Sequence, residues 1–255
     1  MRWHDYYTSP QKIKLMKNYF SLNKIQKAFL LIAVFSSVSA VSTHVFGQVV
    51  AGAMKPKLSN WENKQDRFVI DINFDNWDKT PQGVEVKGFR SRGVNIMFLD
   101  ERPFGNGNVA FAWGLGFSSQ NFHTNGDYYQ DDNADTSGFT PLNIEYDLNK
   151  LSLNYIDLPL ELRFRTNANA KGKRLKLSGG FKLGVLVNAH TKFDNGAYKI
   201  KRHHLKNIPD WHYGLTVRLG FGNIAISYFY SLTKLFNEGE GMEITPYSIG
   251  LSITP

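Results

Sequence analysis

Hydrophobic and polar positions alternate along much of this chain. Over Arg174–Ala189, Leu175, Leu177, Gly179, Phe181, Leu183, Val185, Val187 and Ala189 share one parity, and Lys176, Ser178, Gly180, Lys182, Gly184, Leu186 and Asn188 share the other. A period of two belongs to a strand, not a helix. Strands of soluble proteins usually run about 5–6 residues, whereas a strand that crosses a bilayer needs about 9–11, its apolar face toward lipid. The stretch therefore predicts one stave of a transmembrane β-barrel.

The same alternation predicts seven more strands. Arg67–Asp75 places Phe68, Ile70, Ile72 and Phe74 on one face, opposite Val69, Asp71, Asn73 and Asp75. Within Gly83–Leu99, Val94, Ile96 and Phe98 share the apolar face. Val109–Ser118 sets Phe111, Trp113, Leu115 and Phe117 against Ala110, Ala112, Gly114 and Gly116. In Leu151–Thr166, Ile156, Leu158, Leu160, Leu162 and Phe164 oppose Asp157, Glu161, Arg163 and Arg165, and the reversed parity of Leu151, Leu153 and Tyr155 predicts a bulge near Tyr155. Trp211–Gly220, Ile224–Leu232 and Thr245–Thr254 complete the set. A hairpin is expected inside the polar, acidic segment Gln120–Asn149, with Ile144-Glu-Tyr146 extending the wall. Links after the first, third, fifth and seventh strands are long, and the others are short. Short periplasmic turns and longer external loops are the rule for outer-membrane barrels. The expected fold is all-β: an eight-stranded antiparallel up-and-down transmembrane β-barrel over residues 67–255.

Composition fits this reading. Mean hydropathy is -0.34 with 42% hydrophobic residues, too low for a helical membrane bundle but usual for a barrel, which hides its apolar face in alternation. The 19 Phe and 12 Tyr suit aromatic girdles. There are no cysteines, which excludes disulfides, thiolate metal sites and a lipobox. The formal charge of +8 points away from nucleic acid once it is divided. Residues 1–47 carry six basic residues against Asp5, a net of +5, so the rest has 24 basic and 21 acidic residues, a net of +3. No basic stretch remains that would call for a nucleic-acid partner.

The charge at the start has its own meaning. Lys24-Ile-Gln-Lys27 precedes the apolar run Ala28–Ala40, and small residues follow up to Val45-Phe-Gly47. A basic stretch, a short apolar run and small residues at −3 and −1 predict a signal peptide over 1–47. Met16-Lys17-Asn18 is a more typical start for it than Met1. Residues 48–66 are polar and read as a periplasmic lead-in.

The strand Leu153-Asn-Tyr-Ile-Asp-Leu-Pro-Leu-Glu-Leu162, the Gly179-Gly180 and Gly184 of the next strand, and the ending Tyr230-Ser-Leu-Thr then Pro246-Tyr-Ser-Ile-Gly-Leu251 resemble the PorT-like family of outer-membrane β-barrel proteins. The resemblance covers roughly residues 65–255. It implies a barrel in the outer membrane of a Gram-negative bacterium. For some members it implies a part in protein secretion to the cell surface. The ending Thr254-Pro255 departs from the aromatic or apolar residue usual in barrel proteins.

The inward parity gathers Asp71, Asp157, Glu161, Arg163, Arg165, Lys176, Lys182 and Arg218. An eight-stranded barrel is only wide enough to be filled by side chains, so these charges are expected to pair as a structural lumen network. Asp131-Asp-Asn-Ala-Asp135 alternates acids as calcium loops do, but Thr136 and Leu142 replace the expected Gly and Glu, so it reads as a solvated loop. His203-His204 has no neighbouring carboxylate or cysteine for metal. His123, His190 and His212, with Ser118, Ser119 and loop aspartates, form no hydrolase motif. The expectation is a non-enzymatic outer-membrane barrel with no cofactor or metal. It would contact outer-membrane lipid and lipopolysaccharide, and would meet a protein partner through the external loops Gln120–Asn149 and Thr191–Asp210. The alternatives are a small barrel enzyme acting on lipid and a soluble lipocalin-like barrel.

Overall fold

The computed structural model describes residues 67–254, apart from 106 and 204, together with Gln26. The leader over 1–47 and the lead-in over 48–66 lie outside the described residues. Eight strands close into a ring: β1 (Phe68–Asp78), β2 (Arg92–Phe104), β3 (Val109–His123), β6 (Leu148–Arg165), β7 (Leu175–Asp194), β9 (Trp211–Phe221), β10 (Ile224–Ser231) and β11 (Thr245–Ile253). Each pairs antiparallel with its neighbours in the chain. β1 closes on β11 from Ile70↔Ile253 to Asp78↔Thr245, so the ring has no free edge. Three further strands sit at the end with long connections: the hairpin β4 (Gly126–Asp131) and β5 (Thr136–Pro141), and β8 (Lys199–His203), which pairs with the end of β7.

Alternation sets what each face meets. Along β1, Val69, Asp71, Asn73 and Asp75 are buried inside, while Ile72 and Phe74 are exposed outside. Phe98, Leu162, Leu177, Val217, Ile226 and Leu251 continue the exposed apolar belt around the ring. A soluble lipocalin-like barrel faces its apolar residues inward, and this barrel does the reverse. Aromatic residues mark both rims, with Phe104, Phe164 and Phe221 at the short-turn end and Tyr213, Tyr228 and Tyr247 at the loop end.

Strand bounds differ from the expectation mainly at the loop end. β3, β6 and β7 run past the belt and form a protruding wall, to which β8 adds an edge. β6 keeps a single parity throughout, so Leu151, Leu153 and Tyr155 point inward with Asp157. The irregularity does fall between Asn154 and Tyr155, but the extra residue is on β7. Asn154 pairs with Asn188 and Tyr155 with Leu186, which leaves Val187 unopposed. β7 changes face there, so Ala189, expected outside, is buried inside. The hairpin in the acidic segment is formed by β4 and β5. Ile144-Glu-Tyr146 is irregular, and Ile144 is exposed.

Candidate functional site: a filled lumen under an apolar cap

The lumen has two storeys. In the half nearer the short turns, carboxylates and guanidinium groups alternate in one chain. Arg218 donates to Asp71 at 2.9 Å and also to Glu161. Arg163 donates to Glu161 at 3.0 Å and to Glu101 at 2.9 Å, and Arg165 donates to Glu101 at 2.5 Å. Asn95 adds a donor to Asp71 at 3.3 Å. Each of these positions is the inward parity of its strand, which is why residues far apart in sequence meet. Lys176 stands beside Arg165 in register and lines the mouth at this end with Arg163 and Arg218.

Higher in the lumen, Asp157 takes His212 Nε2 at 2.8 Å and Lys182 Nζ at 3.3 Å. The Lys182 ammonium lies 4.1 Å from the Phe229 ring centroid, and Tyr155 stacks on His212 at 3.8 Å. Gly184 makes room for this pair, since a Cβ there would overlap both Asp157 Oδ1 and His212 Nε2. Above it, buried Asp75 accepts from Ser248 Oγ at 2.6 Å and from the Asn121 backbone N–H at 2.8 Å. The mid-lumen cavity beside Arg218 and Lys182 is about 10 Å³. That is barely room for one water, in keeping with an interior filled by side chains at this level.

The sequence-derived set thus divides three ways. Asp71, Glu161, Arg163, Arg165 and Arg218 belong to one chain of pairs, Asp157 and Lys182 form a separate group with His212, and Lys176 lines the mouth. Glu101 is the member that sequence reasoning missed. The second strand was expected to end by Leu99, although Asn95, Met97 and Leu99 already carried the inward parity on to Glu101. His212, which the sequence presents only as a hydrolase candidate, joins Asp157 inside the lumen. His123, His190 and His212 do not converge: His212 is deep in the lumen, and the other two lie on the wall's outward face.

The loop end is closed by a second, apolar core. Trp77, Phe122, Tyr128, Phe139, Leu151, Leu153, Leu186, Leu205, Phe236 and Ile244 are all buried there. Trp77 touches Phe139 at 4.8 Å and Phe122 at 5.3 Å between centroids, and Phe236 reaches Phe139 at 6.0 Å. The hairpin β4–β5 lays Tyr128 and Phe139 over the opening, and the 231–245 connection supplies Leu235, Phe236 and Ile244. Tyr128 Oη donates to the Lys206 carbonyl at 3.0 Å, which ties the hairpin to the loop after β8.

The acidic run serves the hairpin's turn. Asp131 Oδ1 accepts from the N–H groups of Asn133 and Ala134, and Asp132 pairs with Lys206 at 2.7 Å, which raises the Lys206 pKa. Among the described residues, no group of three or more His, Cys, Asp or Glu is arranged to hold a metal ion. Beyond the belt, the wall's basic groups act on one another. Partial burial, followed by Lys201 and His203, pushes His190 down to about 4, and burial with Lys192 and Lys201 lowers Lys150. A cavity of about 110 Å³ opens between the hairpin and β7–β8, lined by Asp127, Phe193, Tyr198 and Arg202 among others.

The family model for the outer membrane protein beta-barrel domain matches residues 62–237. No curated protein matches the chain. Among solved structures, the chain is similar to Ail, the attachment invasion locus protein of Yersinia pestis, in complex with the heparin analogue sucrose octasulfate. Identity is 16% and the TM-score is 0.27, and the match covers 73% of this chain and 95% of that one.

Proposed function

The chain belongs to the outer-membrane protein β-barrel family and resides in the outer membrane, and on that premise we propose that it is a non-enzymatic anchor that presents a folded external cap to a protein partner. The observation that carries this reading is the division of the interior. The lumen is filled by paired charges around a cavity of about 10 Å³, and the loops that cover it have an apolar core of their own. A filled lumen argues against transport. Loops ordered by a buried core present a preformed surface and lose less conformational entropy on binding than free loops.

The lumen charges are structural on this reading, stiffening the anchor by pairing where unpaired charge is costly. The leader over 1–47 exports the chain, and the 48–66 lead-in remains on the periplasmic side. The likeness of Leu153–Leu162 to the PorT-like strand supports a partner in a secretion apparatus.

Two measurements test the proposal. The folded protein in planar bilayers is expected to show no stepwise ion conductance. A photo-crosslinking residue at exposed Tyr198 or Ile144 on intact cells is expected to trap one defined protein, whereas the same residue at Lys171 in a short turn is not. Conductance steps, or trapping only from the short-turn end, would overturn it.

A further inference from the structure

Above the belt, the outward face of the protruding wall turns basic. In register across β3, β6, β7 and β8, His123 stands opposite Lys150, Lys150 opposite Lys192, and Lys192 opposite Lys201. The row beneath it, nearer the belt, is Asn121, Ser152, His190 and His203, with the two imidazoles 5.5 Å apart. Directly opposed side chains on neighbouring strands sit about 4.5–5.5 Å apart at Cβ, where like charges repel. Three lysines in one row is therefore an unfavourable arrangement unless an anion sits on it. One carboxylate lies on the same face, one row farther out: Asp194 pairs with Lys199 and also feels the charge of Lys192, while Asp127 lies near Arg202 on the opposite face. Lys150 Nζ donates to a neutral group, Asn121 Oδ1, at 3.0 Å. Burial first, and then the neighbouring positive charges, lower the pKa values of Lys150, His190 and His123.

The height of the row says what kind of anion it meets. Phe117 of β3 and Ile156 of β6 face lipid on the same face, and each is six residues from the row, at His123 and Lys150 respectively. Six residues of strand span about 20 Å, and less in height on strands tilted by about 35–45°. That rise, about 14–16 Å, sets the lysines beyond the apolar belt, on the polar side of the membrane interface. The loop beside β3 supports the placement. It carries Lys87 and Arg90, and its Phe89 is exposed with its ring edge-on to the belt residue Phe74 at 5.8 Å. Across the ring, the corresponding rim has Tyr228, Tyr230, Tyr247 and Asp78, and its Lys234 is paired with Glu243. The basic face is confined to one arc.

We infer that the Lys150–Lys192–Lys201 row docks the phosphorylated headgroup of an outer-leaflet lipid, with the acyl chains lying on the apolar belt below. Phosphate oxygens would bridge neighbouring lysines and relieve their repulsion. The inference rests on the membrane placement of the barrel and not on the partner proposed for the cap.

The test uses the full chain, refolded in detergent, with bound lipid counted by native mass spectrometry. The probes are diphosphoryl lipid A and the same lipid with its phosphates removed. The wild type is expected to retain the diphosphoryl form. K192Q should weaken retention roughly fivefold and K150Q/K192Q/K201Q about a hundredfold, at one lysine's contact with an anionic surface per step. K79Q/K171Q/K173Q, away from the row, should leave retention unchanged. Heat-dependent gel mobility verifies that each variant is folded, and K192Q alone decides the matter if the triple variant is not. Equal retention by the wild type and K192Q would overturn the inference, as would equal retention of phosphate-free lipid. Competition by free inorganic pyrophosphate at the same affinity would also overturn it, because the site would then take soluble anions without need of a membrane.

Discussion

Replacing Arg218 with methionine isolates the energetics of the lumen. The Arg218 side chain is 10% exposed and holds two carboxylates, Asp71 at 2% and Glu161 at 1%. Glu161 keeps Arg163 as a second cation at 3.0 Å, but Asp71 is left with the neutral Asn95 amide at 3.3 Å. Removing one partner of a buried ion pair costs about 3–5 kcal/mol, because the remaining charge stays buried. R218M should fall in that range. R165M is the internal control. Its carboxylate, Glu101, keeps Arg163 at 2.9 Å, so the loss should be about 1.5–3 kcal/mol, that of one hydrogen bond to a charged group. D71N/R218M removes the stranded charge along with its partner and should recover at least about 1 kcal/mol of the R218M loss, as expected for coupled neighbours. The assay is urea unfolding in phosphocholine vesicles, followed by tryptophan fluorescence, with the folded fraction checked by heat-dependent gel mobility. An R218M variant within about 1 kcal/mol of wild type, or indistinguishable from R165M, would refute the claim that this chain of pairs holds the lumen together.

Three further outcomes follow from other parts of the molecule. G184A should drive a methyl group into the Asp157–His212 contact and destabilise the barrel by about 1–3 kcal/mol in the same unfolding assay. F236A removes a ring that is 2% exposed and should cost the cap about 3–5 kcal/mol. Limited proteolysis should then cut faster between 195 and 210, while the heat-dependent gel shift of the barrel persists. His190, held near 4 in the folded state against an ordinary value of 6.5, takes up its proton later than the unfolded chain does. Its stabilising contribution is therefore intact above about 6.5 and is lost as pH falls toward 4. An NMR titration of the His190 ring should show a midpoint near 4 that rises in K201Q, and an unchanged midpoint in that variant would remove Lys201 as a cause.

The sequence by itself determined the barrel. Period-two alternation over long strands, with long and short links in turn, is a local property, because side chains of a strand point to opposite faces whatever they later meet. That is why Phe68, Ile70, Ile72 and Phe74 could be set on the lipid side, and why the inward parity of Asp71, Glu161 and Arg218 was readable before their partners were known. Tertiary structure decided what the parity could not. Glu101 joins the lumen because β2 continues past Leu99 in step with β3, and Leu151, Leu153 and Tyr155 looked displaced only because their inward face meets the cap's apolar core and not charge. The face change after Val187 depends on the register between β6 and β7. The basic row joins Lys150 of β6 to Lys192 and Lys201 of the β7–β8 hairpin, the last of them within the basic run Lys199–His203. Which lysines stand opposite one another depends on the register of β6 with β7 and of β7 with β8, and that register is a property of the paired strands.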